Sequence, residues 1–280
     1  MIRIPALRRI VQLAALFGAA AMSVPAAQAQ GDLLVAPTRV MINSGGNAEV
    51  VLSNIGEKPA TYRISLELRR MEESGDFAEV AEADANPAER SALDMVRFAP
   101  KRVTLLPGQP QAVRISVRPP EGLADGEYRV HMSFRAIPTP GAPDAAVPAE
   151  AAPATGVTIK LTPIYGITIP VFVRKGQLQA QASIAGARQV RFENQAFLEV
   201  DMGRTGQRSV YGELIGKGPK GEVLFSLRGI AVYPEVTRRK VHVPLNPEQA
   251  AKVKGPIKLE YRELPENGGA LITQATVQVS

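Results

Sequence analysis

The chain has 280 residues, with 33 lysines and arginines against 27 aspartates and glutamates, two histidines, no cysteine and no tryptophan. The missing thiols exclude disulfides, cysteine nucleophiles and cysteine metal sites. An aromatic content of 5% argues against a nucleic-acid stacking platform or a sugar-binding aromatic surface. A chain of this length holds two domains of ordinary size.

The first residues carry three arginines, Arg3, Arg8 and Arg9, then an apolar run from Ile10 to Met22 and an Ala27-Gln28-Ala29 cleavage signature. Residues 1–29 therefore read as a secretory signal peptide, too short for a membrane span. Its removal lowers the formal net charge of +6 by three, so the basic balance does not argue for nucleic acid.

From Leu33 onward apolar residues alternate with period two between closely spaced turns, the pattern of short strands in a sandwich. Leu33, Val35, Val40 and Ile42 flank Pro37, residues 43–47 form a turn, and Val50 and Leu52 precede another around Gly56 and Pro59. The clearest early strand sets Tyr62, Ile64, Leu66 and Leu68 against Arg63, Ser65, Glu67 and Arg69. Met71 to Ala92 is acidic and aperiodic, and reads as a mobile excursion with a little helix. Its acidic residues lack the ligand spacing of a calcium loop. Two strands, Val103–Leu106 and Ala112–Val117, flank the Pro107-Gly108 turn, and Tyr128, Val130, Met132 and Phe134 alternate with a polar face that includes His131.

Residues 138–155 are rich in proline and alanine and read as a flexible loop. Next comes Val157 to Arg174, VTIKLTPIYGITIPVFVR, whose odd positions are apolar. Such a ridge is longer than a small sandwich needs, and Pro163 and Pro170 favour an edge strand open to pairing by another chain. Lys175 and Gly176 mark a boundary, which divides the mature chain into 30–175 and 176–280. The second part is again all-β, with apolar pairs such as Val241 and Val243 around an outward His242 and one helical turn at Pro247–Lys252. No catalytic motif or metal-ligating constellation is present, and an enzyme is not expected.

Four segments carry a family resemblance: APTRVMI (Ala36–Ile42), VRFAPKRVTLLPGQPQAVRISV (Val96–Val117), DGEYRVHMSFRAIP (Asp125–Pro138) and YGITIPVFVRKG (Tyr165–Gly176). In these the chain resembles the PapD-like periplasmic chaperones of the chaperone–usher pathway, from about Leu33 to the C-terminus. The resemblance implies two immunoglobulin-like β-sandwich domains in a boomerang arrangement, in the periplasm. It implies a function without enzyme activity or cofactor: capping a pilus or fibre subunit by donor-strand complementation and handing it to an outer-membrane usher. Self-association of the unoccupied protein is a further expectation, and neither nucleic acid nor stable membrane insertion is expected. The donor strand would be about 157–174, with Ile159, Leu161, Tyr165, Ile167 and Ile169 facing the subunit. Arg39 matches the arginine that anchors the subunit's C-terminal carboxylate. The family's second anchoring cation, a lysine, falls at Pro170, and Lys160 lies some way upstream. Glu127, Arg174 and Glu266 match a salt-bridge network that fixes the two domains. The alternative is a structural or adhesive envelope module that keeps the same strand permanently paired.

Overall fold

The computed structural model describes residues 33–138 and 164–280. The signal-peptide reading, most of the proline- and alanine-rich loop, and Ile159, Leu161 and Pro163 lie outside the described residues.

In chain order the first half contains β1 (Leu33–Ala36), β2 (Val40–Asn43), β3 (Asn47–Asn54), β4 (Ala60–Met71) and β5 (Phe77–Val80). There follow α1 (Pro87–Met95), β6 (Val96–Ala99), β7 (Arg102–Leu105), β8 (Pro110–Val117), β9 (Gly126–Ile137) and β10 (Gly166–Lys175). One sheet runs β1-β3-β8-β6, and the other runs β2-β10-β9-β4-β5 with β7 also on β4. Alternate residues of both sheets meet in one core that includes Val50, Leu52, Ile64, Ile115, Val130, Met132 and Phe134. Period-two alternation produces this directly, because successive side chains of a strand leave by opposite faces.

The second half contains β11 (Ala180–Phe192), β12 (Gln195–Gly206), β13 (Val210–Lys217), β14 (Val223–Val232) and β15 (Arg238–Leu245), then α2 (Pro247–Lys252), β16 (Gly255–Arg262) and β17 (Leu271–Val279). Its sheets are β11-β12-β15 and β14-β13-β16-β17. They enclose a second core that includes Leu198, Met202, Leu214, Val241, Leu259 and Tyr261. Two residues from the first half, Met71 at the end of β4 and Phe172 on β10, pack into this second core. The sandwiches thus share buried apolar surface.

Three sequence expectations need correction. The acidic stretch after Met71 is ordered: β5 pairs back on β4, and α1 follows with Ala92 and Met95 buried. Asn86 starts α1 with a capping box, its side chain accepting from the Glu89 N–H while Glu89 accepts from the Asn86 N–H. His131 does not face solvent. It is 4% exposed beneath the Phe77 ring, whose centroid lies 5.4 Å away, because the β4–β5 hairpin covers the polar face of β9. Finally, β10 is an edge strand only in part. β2 pairs with it in parallel over Val171–Arg174, whereas on that side Gly166 to Pro170 have no strand partner among the described residues.

Candidate functional site: the strand edge and the cleft between sandwiches

The free edge of β10 follows from its pairing. The Tyr165 carbonyl accepts from the Ala136 N–H at 2.9 Å, so in this antiparallel ladder the odd residues of β10 bond to β9. Gly166 and Thr168 therefore turn their N–H and C=O groups toward the unpaired side. Pro170, which has no N–H, sits where none is needed for the β9 ladder.

The apolar ridge divides at this point. Ile169, Val171 and Val173 are buried in the first core, and Ile167 packs partly against it. Ile169, at 2% exposure, is therefore not available to a partner, a correction to its expected role. The reason is length: β9 continues to Ile137 and carries the sandwich upstream as far as Gly166, so these odd positions fill the protein's own core. Tyr165 and Ile164 lie beyond that end and are 44% and 56% exposed. They stand next to the free edge.

The opposite end of β10 lies against the second sandwich. Val40 and Ile42 point into the first core, which sends Arg39, just before β2, to the other face. Phe172 leaves β10 by the same face. The Arg39 guanidinium lies over the Phe172 ring at 3.9 Å and over Tyr211 at 4.3 Å. It donates to the Tyr233 hydroxyl at 3.0 Å and to Ser209 Oγ at 3.5 Å. No carboxylate pairs with Arg39 among the described residues, so its remaining donors are open to an anion.

Ser209 passes this contact on. Its hydroxyl donates to Glu127 Oε2 at 3.0 Å, and its N–H donates to Oε1 of the same residue at 3.0 Å. Glu127 is paired with Arg174 at 2.8 Å, with its side chain 1% exposed. The structure thus brings together Arg39, Glu127 and Arg174 through a serine that sequence reading missed. Glu266 lies elsewhere. It follows the far end of β16 and pairs with Arg228 at 2.6 Å, both side chains being more than half exposed. In place of Glu266, the second sandwich contributes Ser209 and Glu235. Glu235 pairs with Arg129, whose guanidinium also lies 4.1 Å from the Tyr233 ring, and accepts the Met71 N–H at 2.8 Å.

Tyr233, Ser209 and Glu235 carried no sequence signal beyond lying next to strand ends. Lone polar residues at strand ends look alike until the other sandwich is placed against them. His131 lies close by, and burial, aided by the positive charges of Arg129 and Arg69, pushes its imidazole down to about 3. It stays neutral across the physiological range. His242 meets Glu199 at 3.1 Å on the outer face of the β11-β12-β15 sheet, and has no contact with the cleft residues among those described.

No family model and no curated protein matches the chain. Among solved structures, the YadV chaperone is similar at a TM-score of 0.50 and 13% identity, covering 88% of this chain and all of that one. DraB of E. coli, a chaperone, matches at a TM-score of 0.45 and 14% identity, covering 89% and 96% of the two chains. The SafB chaperone with the SafA pilin of Salmonella enterica matches at 0.44 and 15%, with the same coverage. The chain is all-β and has the two-sandwich fold of the YadV chaperone.

Proposed function

We propose that the protein is a non-enzymatic periplasmic chaperone that caps a fibre subunit through the free edge of β10 and passes it to an outer-membrane usher. The observation that supports this most is the open run at Gly166–Thr168, continued by exposed Tyr165 and Ile164. A subunit sandwich that lacks a strand exposes both an unpaired edge and an apolar groove. The β10 edge supplies the hydrogen bonds, and Tyr165, Leu161 and Ile159 supply alternate apolar side chains. Each large side chain buried in this way contributes about 1.5–3 kcal/mol.

Arg39 is the proposed anchor for the subunit's terminal carboxylate. Its planar guanidinium, held between Phe172 and Tyr211, suits two parallel charge-assisted bonds. Pro170 supplies no second cation. The test is co-expression with strand-deficient fibre subunits and recovery of the complex. Wild type is expected to retain a subunit, Tyr165→Asp to lose most of it, and Arg39→Ala to weaken retention while remaining folded. Equal recovery by all three proteins would refute the reading.

A further inference from the structure

Three arginines stand in one row across the exposed face of the sheet that carries β10. Arg102 on β7 is directly opposite Arg63 on β4, Arg63 is opposite Arg135 on β9, and Arg135 is opposite Gly166 on β10. All three arginines are exposed, and none has an acidic partner among the described residues. Their neighbours two positions along the same face are neutral: Thr61, Ser65, Thr104, Ser133 and Ile137. Like charges directly opposite each other weaken a sheet. Arg63, flanked on both sides, feels this most.

Gly166 ends the row without a side chain. Its φ is not positive, so the backbone does not require glycine there. A Cβ would meet the Phe134 carbonyl oxygen at 3.3 Å and Arg135 Cα at 3.6 Å. Glycine inside a strand costs stability and often marks close approach by another chain. Here it clears the space between Arg135 and the open edge. A strand added to that edge would place a residue one further position along the row, about 10 Å from Arg135 at two strand spacings. An arginine and a carboxylate side chain together span that gap.

We infer that Arg135 is a specificity determinant that selects an acidic residue on the partner strand at the position facing Gly166. This rests on the strand-addition reading above. An acid there would give the arginine row a facing negative charge that none of the described residues supplies, and a lysine would extend the repulsion to a fourth member.

The test uses thirteen-residue peptides with valine on one face and serine on the other, the central serine replaced by Glu, Gln or Lys. Binding to the mature protein is followed through the amide signals of Gly166 and Thr168. The Glu peptide is expected to bind about five-fold tighter than the Lys peptide, an exposed ion pair's worth. Arg135→Gln should remove that preference, whereas Arg135→Lys should retain most of it. If the three peptides bind wild type equally, the selectivity inference is overturned and strand addition stands. If no peptide perturbs either amide, strand addition itself fails and the inference with it.

Discussion

Removing the Glu127 carboxylate should loosen the attachment between the sandwiches. The group is 1% exposed and takes bonds from the Arg174 guanidinium, the Ser209 N–H and the Ser209 hydroxyl. Breaking a buried pair by deleting one member costs about 3–5 kcal/mol, because the other charge is left behind. Arg174 is 28% exposed, so water recovers part of that loss. The buried Ser209 N–H, left without an acceptor, adds about 1–3 kcal/mol. Glu127→Ala is therefore expected to cost about 3 kcal/mol, or roughly 6–12 °C in Tm for a chain of this size. Glu127→Gln keeps an acceptor for Ser209 and should cost about half as much. The assay is urea unfolding of wild type, Glu127→Ala, Arg174→Ala and the double variant, followed by circular dichroism and by tyrosine fluorescence, with coincident transitions as the control for two-state behaviour. The cycle should give a coupling energy above about 1 kcal/mol. Additive effects, or a Glu127→Ala cost within about 0.5 kcal/mol, would refute the reasoning.

Other outcomes follow from the same structure. Asn86→Ala removes the α1 cap and should cost about 1 kcal/mol, with Asn86→Asp near wild type, measured by urea unfolding. Phe172→Ala empties a fully buried position shared by the two halves and should cost about 3–5 kcal/mol; a loss under about 1 kcal/mol would mean that the second core does not depend on it. Hydrogen bonds from Lys217, Arg262 and Lys258 hold the Glu260 carboxyl down at about 2. A depressed carboxyl stabilises the fold above its ordinary value and loses that contribution as pH falls, here between about pH 5 and pH 2. Its lysine and arginine partners are partly exposed, so the contribution is of order 2 kcal/mol. Glu260→Gln should flatten that limb of a stability–pH curve, and an unchanged acid limb would count against the assignment.

The strands were legible because each has one face in a core: Tyr62, Ile64 and Leu68 alternate in sequence and are buried alternately in space. The helix α1 reads in sequence only as a little helix, without bounds, inside a stretch that looks mobile, although Asn86-Pro87-Ala88-Glu89 spells a capping box, since its burial rests on only Ala92 and Met95 and gives little periodicity. His131 followed the alternation rule, yet the rule says only which face a side chain leaves by, and the hairpin that covers that face is fixed by tertiary packing. Ile169 failed for a related reason: periodicity shows that a ridge is apolar without showing where the protein's own core ends. Arg39, Glu127 and Arg174 entered through the family resemblance, and the structure sets them on one connected path. Their partners Ser209 and Tyr233 come from the other sandwich, 170 and 194 residues along the chain from Arg39, a separation no local pattern reports.

The most direct test of strand capping is amide hydrogen exchange at Gly166 and Thr168, in the free protein and in complex with a fibre subunit recovered by co-expression. Both N–H groups face the open edge, so both are predicted to exchange fast when free and to become protected in the complex, while the odd-numbered amides of β10, bonded to β9, are slow in both states. A complex in which Gly166 and Thr168 remain unprotected would contradict the account, because the subunit would then be held by some other surface.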